Sequence, residues 1–291
     1  MIVVSSTNMA AFDGIVASVP ELATAEPVSV SLLSGGMTNT SYVVTTKSAQ
    51  VVVLIGCENR SILGIDRATE EEAVRLAAGA GIAPEVLFMS QPDGHLVTRY
   101  VPEASTPTIE QFTAPDMIPR VGTLLKAVHS LGSVSGRFDP FADIDRWTNL
   151  VEARLTKVPS RLARLLEQVE RTRQTRTPTP EAALVLCHND PYRLNFLVDD
   201  GLWLIDWEYA GMGDAMYDLA GIAYMLDGDG RDSLLAAHYG SVAPWMRESI
   251  EELVPVFVCW NAMWCLVESE TGGQGIAYNG LVEGYLDWLP G

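Results

Sequence analysis

The sequence predicts an α+β fold in two lobes, with a small antiparallel-sheet unit over residues 1–101 and a mostly helical unit over residues 102–291. Three observations lead there. Short β-rich runs separated by turns fill the first unit, helical periodicity takes over after Pro102, and an Asp-Gly hairpin signal sits deep within the helical part. A chain of 291 residues with 48% hydrophobic content can bury a core in each unit, and it carries no low-complexity tract.

In chain order, VSVSLL (28–33), TSYVVTT (40–46) and VVVLIG (51–56) read as antiparallel strands. A helix follows over 66–80, with Asp66 as its cap and Ala73, Leu76, Ala77 and Ala80 on one face. GIAPEVLFM and HLVTRYV are two further strands flanking a PDG turn at 92–94. Ile118, Val121, Leu124, Leu125, Val128 and Leu131 mark an amphipathic helix, and another covers roughly 146–170. The apolar run 253–267 contains Pro255 and Asn261 and is too short to span a bilayer, so it reads as a buried helix.

A net charge of −18 argues against nucleic acid, because binding phosphates needs a basic face that this chain cannot easily assemble. It suits a cationic partner equally with plain solubility. No Lys or Arg precedes Lys47, so the start lacks the basic segment of a secretory signal, and the expected location is the cytoplasm. The four cysteines show no metal or CxxC spacing and fit reduced thiols.

The chemistry concentrates in LVLCHNDPYRLNFLVDDGLWLIDWEYA, residues 184–210. Asp200-Gly201 between apolar runs predicts a type I′ hairpin turn. If Asp199 pairs with Leu202, Asn195 falls directly opposite Asp206, with Cβ atoms ~5 Å apart. Two oxygen-bearing side chains at a hairpin end suit Mg²⁺, which takes one or two protein oxygens and keeps water and phosphate for the rest. Asp190 lies on the loop leading into the same end, placed to accept a proton. Asp-x4-Asn followed by a strand-terminal Asp is the spacing protein kinases use for a catalytic base and two metal ligands.

On HNDPYRLNF (188–196) and IDWEYAGMGDAMYDLA (205–220), with LLSGGMTNTSYVV, GIDRATEE and GIAPEV in support, the chain resembles the choline/ethanolamine kinase and aminoglycoside phosphotransferase family, of protein-kinase-like fold. The last two segments and IDWEYAG are similar to the choline kinase branch. The resemblance implies ATP and Mg²⁺ as cofactors, Asp190 as catalytic base, His188 as organiser of its loop, and Asn195 and Asp206 as metal ligands. It puts Glu208 on the substrate side of the cleft and gives Asp218 a loop-holding position, where a buried carboxylate capping its own helix is the expected job.

Ser34-Gly35-Gly36-Met37-Thr38-Asn39 sits between two strands, as a phosphate-covering loop must, and its glycines let backbone N–H groups approach phosphate oxygens. The resemblance alone places adenine against backbone at Arg99, Tyr100 and Val101 and makes Glu70 the helix carboxylate. One departure stands out: relatives carry Lys or Arg on the strand VVVLIG, whereas here Leu54 and Ile55 occupy it. Lys47, Arg60 or Arg67 must then reach the phosphates, or ATP binding is weakened, or another donor is used. ATP binding is expected, since the metal set is intact.

Trp260, Trp264 and Glu268 recur at four-residue spacing on one helix face. They read either as core packing or as an aromatic and acidic box for an ammonium group. The choline kinase branch has a tryptophan-containing helix there, at a spacing of three. The expected partner is thus a small cationic, hydroxyl-bearing substrate of choline or ethanolamine type, with no nucleic acid or membrane. An aminoglycoside or basic peptide antibiotic, or a non-catalytic binding role, remains the alternative, and the oligomeric state is open.

Overall fold

In a computed structural model the chain forms the α+β architecture that the sequence predicts. The structure describes residues 6–23, 27–33, 37–57, 59–91, 93–154, 158–271 and 278–287. β1 (Ser29–Leu33), β2 (Thr40–Thr45), β3 (Gln50–Ile55), β4 (Val86–Ser90) and β5 (His95–Arg99) make one antiparallel sheet in the order β1-β2-β3-β5-β4. Val, Tyr and Thr dominate β2 and β3, the residues that fit a pleated, half-buried surface. The turn between them is closed by Thr46, whose Oγ1 accepts the N–H groups of Ser48 and Ala49.

Helices α1 (Ser6–Ser18) and α2 (Pro20–Ala23) cover one face of this sheet. Ile15, Val19 and Leu22 pack there with Tyr42, Val44, Val51, Val53, Ile55 and Val97. Side chains alternate across a strand, so Val52 and Leu54 belong to the opposite face. That face receives α4 (Arg67–Gly79), after the short α3 (Arg60–Leu63). Asp66 caps α4 as expected, accepting from the N–H groups of Ala68 and Thr69. The buried stripe is Glu70, Ala73, Val74 and Ala77; Leu76 and Ala80, expected to share it, are exposed because the helix turns Val74 inward instead.

The helical part comprises α5 (Ile109–Phe112), α6 (Met117–His129), α7 (Pro140–Arg154), α8 (Ser160–Thr175), α9 (Ala215–Ala223), α10 (Gly228–Tyr239), α11 (Pro244–Thr271) and α12 (Tyr278–Leu286). The expected single helix over 146–170 is two helices. Pro159 precedes α8, and a proline pushes the residue before it out of helical conformation. The apolar helix is also longer than expected: α11 has 28 residues, enough by length and composition to cross a bilayer, yet 89% of its most apolar window is buried in the protein. It is the central core helix, packed by α7, α8, α9 and α12.

Two small hairpin-like pairs sit among these helices. β6 (Val185–Cys187) pairs with β9 (Gly211–Gly213), and β7 (Phe196–Val198) pairs with β8 (Leu202–Leu204). The segment after β5 docks on the second pair, with Ser105 and Val198 exchanging backbone hydrogen bonds at 3.1 and 2.9 Å. The β7–β8 register differs by one from the expected one, since Phe196 faces Leu204 and Asn195 faces Ile205. The loop is three residues, folded by the Asp199 carboxylate accepting the Gly201 N–H, and neither Asp200 nor Gly201 has positive φ. Gly201 is needed for space: a Cβ there would lie 2.7 Å from the Trp203 ring.

Candidate active site

The loop after β6 is built by one buried carboxylate. Asp218, on α9, accepts the backbone N–H groups of His188 at 2.8 Å and Asn189 at 2.7 Å. This corrects the expectation that it caps its own helix; Asp214 does that, accepting the Met216 N–H. The two bonds hold a turn in which Asn189 takes a φ of 66°, and its Nδ2 donates to the Tyr209 carbonyl at 2.9 Å. Asp190 emerges from this turn half-buried.

Asn195 fixes the Asp190 side chain. Its Nδ2 donates to the Asp190 carbonyl at 2.9 Å and to Oδ2 at 3.0 Å, which turns its own Oδ1 away from Asp190. The Asn195 carbonyl in turn accepts the Ile205 N–H at 2.8 Å, so Asp206 is the next residue past the pairing partner. A backbone φ of 66° at Asp206 re-aims it. Such a conformation costs an L-residue about 1–2 kcal/mol, so the surrounding bonds must hold it. Asn195 therefore faces Ile205 and not Asp206, so the expected direct pairing of the two is not formed, while Asp206 interacts with Asp190, Glu208 and Glu70.

His188 supports this end from below. It is fully buried, packs edge-on to Trp207 and donates Nε2–H to the Ile205 carbonyl at 3.0 Å, which fixes the neutral tautomer. Burial also holds its basicity down. His188 is a support for the loop and not a proton donor to it.

Carboxylates accumulate here. Burial and then Glu208 push Asp190 up to about 8, against the opposing pull of the Asn195 amide. Asp206 is raised well above the usual range by burial, then by Glu208, Asp190 and Glu70, with Arg67 opposing. Glu70 is pushed up to about 7 by burial, with Arg67 opposing and Glu208 adding. An anionic oxygen cluster of this kind favours a divalent cation or protons.

On the sheet side, Arg67 is the counter-ion. Its Nη1 lies 2.6 Å from Glu70 Oε2 and 3.6 Å from Glu208 Oε2. Asn39 joins the same group: its Nδ2 donates to Glu208 Oε2 at 2.9 Å, while its Oδ1 accepts the Cys57 N–H at 3.0 Å. Thr38 precedes it in the same loop, and the glycines expected to cover phosphate, Gly35 and Gly36, lie outside the described residues. Tyr100 and Val101 follow β5 half-buried, and the Tyr100 N–H is committed to the Gln50 carbonyl at 3.1 Å.

The aromatic side is closed rather than open. Trp260 is 1% exposed, Trp264 6% and Glu268 2%. Trp260 meets Tyr209 edge-on at 4.7 Å and donates Nε1–H to Asp143 at 3.2 Å; Trp264 donates Nε1–H to the Tyr209 hydroxyl at 2.8 Å. Glu268 accepts the Asn59 amide at 2.7 Å. A cavity among the described residues is lined by Asp66, Arg137, Phe138, Asp139, Asp143, Glu208 and Tyr209, and by neither tryptophan.

The sequence pattern of the phosphotransferase enzyme family matches residues 29–253. The chain belongs to this family. Protein LicA of Haemophilus influenzae is 25% identical over 249 residues, 80% of this chain and 70% of LicA. A choline/ethanolamine kinase family protein from Mesorhizobium loti is 25% identical and superposes with a TM-score of 0.78, covering 96% of this chain and 92% of its own. The choline kinase LicA from Streptococcus pneumoniae has the same fold, with a TM-score of 0.78 at 21% identity over 97% of this chain and 99% of its own. A LicA structure in complex with AMP also reaches 0.78, over 98% of both chains at 21% identity.

The protein is therefore a phosphotransferase, and its site contains residues that sequence reasoning did not reach. His129 Nε2 donates to Asp218 Oδ2 at 2.9 Å, and His129 Nδ1 and His238 Nε2 share a hydrogen bond of 2.8 Å. The His129 ring and the His188 backbone N–H thus meet at the Asp218 carboxylate, and His238 reaches it through His129. Nothing in local sequence signals this, because the residues lie on three separate elements. Asn39 was expected at the phosphates alone; its bond to Glu208 links the sheet unit to the helical one. Tyr209 and Asp143 carry the cavity wall that the tryptophans were expected to provide.

Proposed function

We propose that this phosphotransferase is an ATP- and Mg²⁺-dependent kinase that phosphorylates the hydroxyl of a small cationic amino alcohol of choline or ethanolamine type. The observation that carries the reading is Asp190, fixed by Asn195 in one cluster with Asp206 and Glu208; Glu208 also lines a cavity with Tyr209, Phe138, Asp139, Asp143 and Arg137.

The donor set fits Mg²⁺. Carboxylate and amide oxygens are hard ligands, and a divalent cation would offset the burial and the neighbouring carboxylates that raise Asp190 and Asp206. Asn195 Oδ1 and Asp206 would hold the ion. Mg-ATP supplies the phosphoryl group and the charge that neutralises its transfer. Buried Arg67 and Asn39 supply the positive and amide groups on the nucleotide side, and the AMP-bound LicA structure supports a nucleotide in this fold.

The chain's own residues then perform three tasks. Asp190 orients the acceptor hydroxyl and takes its proton, since general-base help of this kind is worth about 10²–10⁴-fold. Asp218 and His188 keep the loop rigid, so the reacting oxygen is held rather than searched for. Glu208, Asp143 and Asp139 outnumber Arg137 around the cavity, with Asp143 paired to Arg146, and the Tyr209 and Phe138 rings would offer an ammonium about 0.5–2 kcal/mol each when well placed.

A phosphate-transfer assay over choline, ethanolamine, aminoglycosides, basic peptides and neutral polyols tests this. The expected result is transfer to amino alcohols and none to polyols. A neutral sugar as the best acceptor would overturn the cationic reading, and an aminoglycoside as the best acceptor would move the protein to the resistance branch of its family.

A further inference from the structure

The strand position that should carry the phosphate-side cation is empty of charge. Val51, Val53 and Ile55 are buried against α1, so β3 presents Gln50, Val52 and Leu54, none of them charged, to the opposite face. Yet the helix carboxylate that such a cation would pair, Glu70, is retained and 3% exposed. Of the three other cations that sequence reasoning offered, Lys47 is exposed in the β2–β3 turn. It sits at the far end of β2 from Asn39, about 20 Å along a six-residue strand. Arg60 opens α3 and forms no ion pair among the described residues. Arg67 is 4% exposed and lies between Glu70, Glu208 and Asn39.

The way Arg67 is bonded is informative. Nη1 is taken by the carboxylates, whereas Nη2 has only long contacts, 3.4 Å to Asn39 Oδ1 and 3.5 Å to Cys57 Sγ. Nε is buried and has no hydrogen-bond partner among the described residues. Nε–H and Nη2–H form one side-on edge of the guanidinium, the fork that matches two oxygens of a phosphate. A buried donor without a partner carries a free-energy penalty that a ligand oxygen removes. The place is also shaped for the side chain. A Cβ at Gly94, which has φ 70°, would lie 2.2 Å from Arg67 Nε, so Gly94 is what lets the arginine lie there.

We propose that Arg67 is the phosphate-binding cation of this enzyme, relocated from β3 to the first turn of α4. Glu70 and Glu208 hold the guanidinium by Nη1, and its Nε/Nη2 edge takes the nucleotide's β- or γ-phosphate oxygens. The proposal rests on the nucleotide-site reading above. It makes the hydrophobic residue at Leu54 a substitution that Arg67 makes tolerable, not a sign of lost function.

Calorimetric titration separates the two claims. Wild type, Arg67→Met, Arg67→Lys and the Arg67→Met/Leu54→Lys double variant are titrated with Mg-ATP, Mg-ADP and adenosine, with folding checked by circular dichroism and melting. Arg67→Met is expected to weaken ATP and ADP about tenfold or more and adenosine less than about twofold, with Leu54→Lys restoring most of the loss. Arg67→Lys keeps the charge and loses the fork, so it should weaken ATP and ADP by an intermediate factor with adenosine unchanged. Should Arg67→Met fail to fold, Arg67→Lys decides. The proposal falls if a folded Arg67 variant binds ATP as wild type does, or loses adenosine equally. If wild type binds no Mg-ATP at millimolar concentration, the nucleotide reading itself is lost together with this role for Arg67.

Discussion

At the scale of single residues, Asp190 concentrates the chemistry. Its side chain accepts from Asn195 Nδ2 at 3.0 Å, and burial, then Glu208, push it up to about 8. Asp190→Asn keeps the shape and removes the basic oxygen, so turnover should fall about 10²–10⁴-fold while Mg-ATP affinity changes little. Near-wild-type kcat in that variant would remove Asp190 as the base. Trp264 offers a quieter test. Its Nε1–H holds the Tyr209 hydroxyl at 2.8 Å, behind the cavity wall rather than in it. Trp264→Phe retains most of the packing and frees that hydroxyl, so KM for the cationic acceptor should rise several-fold, about 0.5–1.5 kcal/mol for one hydrogen bond, with KM for ATP unchanged. A change only in melting temperature would assign Trp264 to the core.

At the scale of elements, the site depends on α9 holding a loop that belongs to another part of the chain. Asp218 accepts two loop N–H groups and the His129 ring, all fully or nearly fully buried. His238, held down to about 4 by burial and then by His129, completes the chain as a neutral ring. Asp218→Ala leaves these donors without a partner and is expected to destabilise by about 3–5 kcal/mol in denaturant titration; a loss below about 1 kcal/mol would show that water replaces the carboxylate. This element also shows what the sequence could and could not say. Asp190, Asn195 and Asp206 were legible because their spacing encodes one local hairpin. The register was misread by one because Asp200-Gly201 suggests a two-residue turn, whereas the Asp199 carboxylate folds a three-residue one. Asp206 lies one residue past the Asn195–Ile205 pairing in a positive-φ conformation that no periodicity announces. Pro159 breaks the helical pattern expected over 146–170, because a proline disfavours helical conformation in the residue before it. The links Asn39–Glu208, Asn59–Glu268 and His129–Asp218–His238 join residues far apart in the chain, so they exist only once the tertiary fold brings them together.

At the scale of the whole molecule, the site stores charge that the fold alone does not neutralise, and this gives stability a pH and metal dependence. Asp190, ordinarily at 3.8, is raised to about 8, Glu70, ordinarily at 4.5, is raised to about 7, and Asp206 is raised well above 3.8. Between about pH 4 and pH 8 the folded state therefore binds protons that the unfolded state has lost, and by linkage stability falls as pH rises through that window. Below it both states are protonated and these groups contribute no slope. Mg²⁺ competes with the protons for the same oxygens, so it should stabilise the folded state most where the carboxyls have ionised. In metal-free buffer the melting temperature should decline from about pH 6 to about pH 8, and millimolar Mg²⁺ should raise it more at the upper pH than at the lower, beyond any effect of equal ionic strength from NaCl. Asp206→Asn removes one ionising group and one metal ligand, so it should flatten the pH slope and abolish most of the Mg²⁺ shift together. A melting temperature at pH 8 that ignores Mg²⁺ would mean that the carboxylates of this cleft do not form a metal site, and would leave Arg67 as their only counter-charge among the described residues.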